Sequence, residues 1–365
     1  MTDFSVVETV DRRPEAPHLV VDEFLKTLVD ARALKTAFEL GLIDRLIAAR
    51  SGGSGEALGR ALGADPTGMR LLLDLLVAGG IVHERAGDNG RAGDIRLTAR
   101  FRKALEFRDL LEVKLDFAGF VLTDFADLFT TMVRQPADFM THARVYQLFD
   151  YRKCLDYSSD NYRRVRLWMR LTSTLTRYEA PAAIAAHDFS AHRRMLDVGG
   201  NSGEFALQVC RSAPHLRAAV FDLPLVCEIG LEHILGEPEQ DRIGFVKGDL
   251  RAQNLPGGYD LISFKSMLHD WPPRDSGAFL VKAVEALAPG GRILIFERGP
   301  LRFRDVAAPL SLIPTLLFFN CYRPPSDYVA QLEALGLEDI TVRDVVLDTH
   351  FYVVAGRKPK GSGTT

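Results

Sequence analysis

Residues Met195-Leu196-Asp197-Val198-Gly199-Gly200-Asn201-Ser202-Gly203 decide how the chain is read. A short apolar run, Met195–Val198, ends on a glycine-rich turn, and an amphipathic segment, Glu204–Arg211, follows at once. A strand that turns directly into a helix lets backbone come close to a ligand, and open α/β sheets bind ligands at that strand edge. Gly199 and Gly200 are the candidate contacts. The loop departs from G-x-G-x-x-G, because Asn201 stands where the second glycine belongs, and no Lys-Ser/Thr follows as in a P-loop. It suits a nucleoside-like molecule with no obligatory pyrophosphate. A tight turn without a ligand is the plain alternative.

Downstream, short apolar or β-branched runs recur at Ala218–Phe221, Ile243–Val246, Leu261–Phe264, Ile293–Phe296, Ile340–Val345 and Phe351–Ala355. Amphipathic segments such as Ala278–Ala288 and Ser326–Leu335 separate most of them. This alternation predicts an α/β fold, a mostly parallel sheet with right-handed crossovers and helices on both faces. Too few residues separate the last two runs for a helical crossover, so those strands should pair antiparallel. Asp222 closes the second run, where an acid accepts hydrogen bonds from two ribose hydroxyls and repels a phosphate. Asp249-Leu250 follow the third, an acid beside an apolar side chain, suited to an adenine amino group and ring face. Singly, each aspartate reads equally as a cap or a turn residue. Three strand ends in one register argue against coincidence.

Upstream, from about Leu19 to Tyr178, the pattern is helical: Phe24, Leu25, Leu28, Val29, Ala31, Leu34 and Ala37 fall at three- and four-residue spacings. Glu56–Leu62, the turn Gly63-Ala64-Asp65 and a helix opening at Pro66 read as helix–turn–helix, with Ile81–His83 and Ile95–Leu97 as a wing. That module either reads DNA or serves as a packing or dimerisation surface. Ser51–Leu110 carries nine Lys/Arg against eight Asp/Glu, and the second helix offers Arg70 alone to a base edge. Both facts favour the structural role.

The whole chain, 365 residues with formal charge −3 and pI near 6.3, has no global attraction to nucleic acid or an anionic membrane. At 47% hydrophobic it holds ample material for a large core, and its length suggests two domains. Met1–Pro17 has no apolar core of a signal peptide, and the longest apolar stretch, Ala307–Phe319, is too short for a membrane span and contains Pro309 and Pro314. Cys154, Cys210, Cys227 and Cys321 lie far apart with no CxxC pair. The expectation is a reduced, cytoplasmic protein with no metal module.

Five motifs in order then carry a resemblance: Leu196–Gly203, Phe221-Asp222-Leu223-Pro224, Gly248-Asp249-Leu250, Lys265 with Leu268-His269-Asp270-Trp271, and Ala288-Pro289-Gly290-Gly291 with Glu297. From about Leu19 onward the chain resembles the S-adenosylmethionine-dependent small-molecule O-methyltransferases, the caffeic-acid-type plant enzymes and their bacterial natural-product relatives. The resemblance implies S-adenosyl-L-methionine as cofactor and a Rossmann-like seven-stranded sheet whose last strand is antiparallel. It also implies a winged-helix dimerisation domain and thus a homodimer. The expected division is 1–18 flexible, 19–110 winged-helix-like dimerisation domain, 111–180 helical connector and acceptor-pocket segment, 181–358 cofactor-binding catalytic domain, and 359–365 flexible tail. Cofactor contacts carried over by motif are Gly199, Gly200, Asp222, Leu223, Asp249, Leu250 and Lys265. By family position Trp168, Met169 and Phe319 line an aromatic acceptor pocket.

The same resemblance makes His269 the general base, with Asp270 beside it and Glu297 holding the tautomer whose other nitrogen takes the acceptor's proton. A capping histidine before Pro272-Pro273, or a metal held by His269 and Asp270, are the competing readings. One departure stands out: plant members place a second acid near the segment Asn320-Cys321-Tyr322-Arg323, which here offers Tyr322. Methyl transfer to a hydroxyl of a small aromatic metabolite is the leading expectation. Its rivals are C-methylation, decarboxylation or another reaction at the same cofactor site, and a winged-helix regulator.

Overall fold

The computed structural model describes residues 16–25, 27–49, 53–85, 93–303 and 308–360. The flexible ends expected over 1–15 and 361–365 lie outside these residues. Pro17 and His18, assigned to the flexible N-terminus, instead begin a 3-10 turn, Pro17–Phe24, and the His18 ring lies 5.0 Å from that of Tyr178.

The first unit is helical: α1 (Leu28–Glu39), α2 (Leu42–Ala48), α3 (Gly55–Leu62), α4 (Pro66–Ala78) and α5 (Ala99–Ala104) surround a hairpin of β1 (Val82–Arg85) and β2 (Asp94–Leu97). Ser54, Asp65 and Thr98 cap α3, α4 and α5 by accepting backbone N–H groups, as their types favour. Ala31, Leu34 and Ala37 of the stripe read from the sequence close one core with Met69, Leu72 and Leu76 of α4. Arg70 lies exposed on α4.

Long helices then cross to the second unit: α6 (Arg108–Arg134), α7 (Pro136–His142), α8 (Arg144–Leu148) and α9 (Ser159–Ala186). The expected boundary at 180/181 falls inside α9, which continues through Pro181. Proline there removes one N–H, yet neighbouring Ala180, Ala182 and Ala183 pack on the sheet and hold the helix.

The second unit alternates β3 (Arg194–Val198), α10 (Glu204–Ser212), β4 (Arg217–Asp222), α11 (Pro224–Ile234), β5 (Ile243–Lys247), β6 (Tyr259–Lys265), α12 (Pro273–Ala286) and β7 (Leu287–Arg298). The short α13 (Ile313–Leu316), α14 (Pro325–Ala334), β8 (Glu338–Val346) and β9 (His350–Arg357) complete it. The sheet has seven strands in the order β5-β4-β3-β6-β7-β9-β8. β5 through β7 run parallel, and β9 is antiparallel to both β7 and β8, as the short final connection requires. Successive strand residues serve opposite faces: Met195 joins α9 and α10, whereas Leu196 and Val198 join α12 and α14. Chain order reverses between β3 and β6, so the loops after these strands flank a crevice at the switch point. Among the described residues no helix is long and apolar enough to cross a membrane. The four cysteines are unbridged. Two histidine contacts lie on the helical flank of the sheet: His187 Nε2 and His192 Nε2 are 3.1 Å apart, and His233 Nε2 sits 2.6 Å from Glu204.

Candidate active site

After β3 the chain needs three left-handed backbones in five residues. Gly199 (φ 65°), Asn201 (φ 57°) and Gly203 (φ 77°) supply them, asparagine being the non-glycine type that tolerates this region well. A Cβ on Gly199 would fall 2.5 Å from Met267, and one on Gly200 would fall 2.5 Å from Asp197 Oδ2. The loop therefore presents bare backbone to the crevice. Asn201 N–H donates to Asp222 Oδ2 at 2.8 Å and Leu223 N–H to Oδ1 at 2.7 Å, which leaves each carboxylate oxygen a further lone pair. Burial pushes the Asp222 carboxyl up to about 6 against these two bonds. Asp197 is fully buried; Ser263 donates to its Oδ1 at 2.6 Å, and its Oδ2 has no partner among the described residues. Burial pushes this acid up to about 7. Asp249 is paired with Arg251, whose guanidinium stacks 5.6 Å from the centre of the Trp271 ring system.

The turn after β6 holds His269, and Glu297 at the end of β7 organises it. Glu297 Oε1 accepts the backbone N–H groups of Met267 (3.0 Å) and Leu268 (2.8 Å), while Oε2 lies 2.6 Å from His269 Nδ1. On the other side of the ring, Nε2 is 3.3 Å from Asp270 Oδ1, and Asp270 Oδ2 accepts the Tyr151 hydroxyl at 2.6 Å. Burial by itself lowers the imidazole's pKa, but the two carboxylates outweigh it and raise it above the ordinary 6.5. Ser266 just before the turn is left-handed (φ 49°), a strained conformation of the kind that accumulates at functional sites. Arg323 braces the turn from behind, donating to Leu268 O and Ser276 Oγ, both at 3.1 Å, and to Trp271 O. Tyr322 faces the imidazole with ring centres 5.2 Å apart. Among the described residues no three His, Cys, Asp or Glu side chains converge as a metal site would require.

Both regions open on one cavity of about 420 Å³. It is lined by Gly199, Gly200, Asp222, Leu223, Asp249, Leu250, Lys265, His269 and Asp270. Phe117, Phe149, Trp168 and Phe318 form aromatic walls. Two expected pocket residues fall elsewhere. Met169 does not border the cavity; it is buried in a cluster with Val165, Leu225 and Ile229, which the Trp168 ring joins from the cavity side. Phe319 is 38% exposed outside the cavity, and its neighbour Phe318 takes the inward place. Lys265 borders the cavity, but its ammonium is engaged by Glu179 and by Thr176 Oγ1 at 2.9 Å, so it acts there as part of a buried pair.

That pair belongs to a buried charged wall absent from the sequence reading. Lys114 on α6 bonds Asp22 at 2.8 Å and lies 3.6 Å from Asp348; Arg298 bonds Asp348 at 2.8 Å and Thr349, and reaches Glu179 at 3.5 Å. The Arg298 guanidinium also lies 4.2 Å from the centre of the Phe351 ring. These partners are spread over more than three hundred residues, so no local spacing signals them.

Comparison with known proteins gives the arrangement its context. Residues 127–302 match the model of the O-methyltransferase domain, and residues 23–101 match that of the O-methyltransferase dimerisation domain. The mitomycin biosynthesis 6-O-methyltransferase of Streptomyces lavendulae is 26% identical over 346 residues, covering 90% of this chain and 94% of that protein. The 3-hydroxy-5-methyl-1-naphthoate 3-O-methyltransferase of Streptomyces sahachiroi is 38% identical over 125 residues, and the match spans 34% of this chain and 35% of that protein. Human N-acetylserotonin methyltransferase, solved in complex with S-adenosylmethionine, superposes with a TM-score of 0.70 at 23% identity over 90% of this chain and 94% of that one. With both family models matched in order over well over half its length, the chain belongs to the S-adenosylmethionine-dependent O-methyltransferases.

Proposed function

We propose that the chain methylates a hydroxyl of a small aromatic metabolite, with His269 as general base. The observation that carries this reading is an imidazole fixed by Glu297 on the wall of an aromatic-lined cavity that also opens on the glycine loop. The relatives reported above bear names of oxygen methylation, on a hydroxynaphthoate and in mitomycin biosynthesis. The residues present suit the family's cofactor. Asp222 keeps a lone pair on each oxygen for ribose hydroxyls, Asp249 and Leu250 border the same cavity with an acid and an apolar side chain that suit an adenine, and bare Gly199 and Gly200 admit close approach. Asp197 Oδ2 is left for a donor. S-adenosylmethionine, when bound, supplies an electrophilic methyl group on a sulfonium.

The protein's share is to position the acceptor and move its proton. Phe117, Phe149, Trp168 and Phe318 hold an aromatic ring by apolar contact and exclude water. Nδ1–H donates to Glu297 Oε2, which fixes the tautomer and leaves Nε2 to take the hydroxyl proton. A phenol has a pKa of about 10, and raising the imidazole above its ordinary value narrows that gap. Asp270 at 3.3 Å then stabilises the imidazolium. We also read the first unit as a winged-helix module through which two copies pair.

His269→Ala should lose roughly 10²–10⁴-fold in turnover, while cofactor affinity by calorimetric titration stays unchanged. The base works only when neutral, so activity should fall as pH drops through a midpoint above 6.5. Alkaline pH should partly rescue the variant as the phenol ionises unaided. Full turnover by His269→Ala at neutral pH would remove the base from the mechanism. A product methylated on carbon, identified by mass spectrometry, would replace O-methylation with its rival.

A further inference from the structure

The cavity is lined by several polar groups with hydrogen-bonding capacity left over. Ser311, on the short turn before α13, is 6% exposed and borders the cavity, and its Oγ has no partner among the described residues. A buried hydroxyl left unpaired costs free energy, so its retention against a cavity points to a partner brought by a ligand. Tyr322 borders the same cavity beside His269, and its hydroxyl makes no hydrogen bond among the described residues. Lys114 and Arg298 border it too, with donors unspent. The Lys114 ammonium has three protons, one good bond to Asp22 and a distant neighbour in Asp348. The Nη2 group of Arg298 has only the stretched 3.5 Å contact to Glu179.

The carboxylates beside these cations are already engaged. Lys265 and Arg298 occupy the two oxygens of Glu179, and Arg298 and Lys114 face the two of Asp348. What remains along the cavity lining is a set of donors without acceptors. Its charge is balanced: Lys114, Lys265 and Arg298 stand against Asp22, Glu179 and Asp348. A carboxylate brought here would be a buried charge without a counter-charge, whereas a ketone or quinone oxygen offers two lone pairs and no charge.

We propose that Ser311 and Tyr322, backed by Lys114 and Arg298, form a subsite for a neutral carbonyl oxygen of the acceptor, apart from the hydroxyl presented to His269. The substrate class is thus a hydroxylated aryl ketone or quinone. The proposal rests on the acceptor-pocket reading above and sharpens it.

A matched set of ligands tests it by binding, independently of turnover. A hydroxytetralone, the tetrahydronaphthol that lacks its carbonyl, and a hydroxynaphthoate are titrated calorimetrically into the full chain saturated with S-adenosylhomocysteine. The hydroxytetralone should bind about tenfold tighter than the tetrahydronaphthol, as a hydrogen bond to otherwise unpaired buried groups warrants, and tighter than the hydroxynaphthoate. Ser311→Ala removes a hydroxyl that bonds nothing, so the fold survives it; this variant and Tyr322→Phe should each reduce the preference to about threefold or less. Equal binding of the tetralone and tetrahydronaphthol, a preference unchanged in Ser311→Ala, tightest binding of the naphthoate, or no binding by any of the three overturns the subsite. Mass spectrometry on the same ligands with S-adenosylmethionine separates the two readings: a preference that persists without methylation supports the subsite and overturns the methyl-acceptor role.

Discussion

Glu297 accepts hydrogen bonds with both oxygens, two from the backbone of the His269 turn and one from the imidazole. An orienting role alone would make its loss mild. The geometry gives a harsher outcome. In Glu297→Gln the carbonyl oxygen can keep the two backbone N–H groups, and the amide nitrogen then faces Nδ1. A donor there makes Nδ1 the acceptor and moves the proton to Nε2, the nitrogen that the proposed base needs bare. The variant should therefore lose about 10²–10⁴-fold in kcat, close to His269→Ala, because it holds the wrong tautomer. Losing a carboxylate also removes the main force raising the imidazole, so the residual activity should show its acid limb at lower pH than the wild type. A pH–rate profile of Glu297→Gln with a wild-type limb and near-wild-type kcat would contradict this account. Neither consequence was readable from residue types, since a buried glutamate at a strand end looks alike whether it holds one partner or three.

Elements were more legible than contacts. Strand runs, crossovers and the final antiparallel pair follow from apolar periodicity and connection length, and the loops after β3, β4, β5 and β6 that border the cavity lie where the sequence places strand ends. Single-residue register on helices and irregular turns was not. Met169 against Trp168 and Phe319 against Phe318 differ by one position, and a pattern that marks a segment as apolar does not tell which neighbour reaches the cavity. The network of Lys114, Arg298 and Asp348 escaped for another reason, because its members meet only through tertiary folding. Periodicity also leaves apolar side chains with nothing to cover them. Leu28 and Val29 on α1, Leu71 on α4, and Phe129 and Val133 on α6 are between 42% and 63% exposed, all in the helical first half. Such exposure is costly in a monomer, and the dimerisation-domain match covers α1 and α4. Light scattering at micromolar concentration should give twice the 40.5 kDa chain mass, and a monomeric mass with activity retained would overturn the pairing.

At the scale of the molecule, the two units are joined beside the cavity by buried charge. Asp22 precedes α1, Lys114 lies on α6, Glu179 on α9, Arg298 at the end of β7 and Asp348 in the β8–β9 turn. The side chains of Lys114, Arg298 and Asp348 are only 6%, 8% and 12% exposed. Burial disfavours the Asp348 anion, yet Arg298 and Lys114 hold its pKa well below the ordinary carboxylate range. A buried pair is weak evidence for net stability, but breaking one strands its partner. Asp348→Asn should therefore cost about 3–5 kcal/mol in urea unfolding at neutral pH, because Arg298 keeps its charge with little left to balance it. The sign with pH follows from the depressed value. The stabilisation is present above the unfolded carboxylate's pKa of about 3.9 and is lost as acid takes the group toward its lower folded value. The stability gap between wild type and Asp348→Asn should accordingly be widest near neutrality and close toward pH 3. A gap that stays constant over that range would mean that the carboxylate's charge plays no part in joining the helical unit to the sheet, and that packing at the β8–β9 turn alone does so.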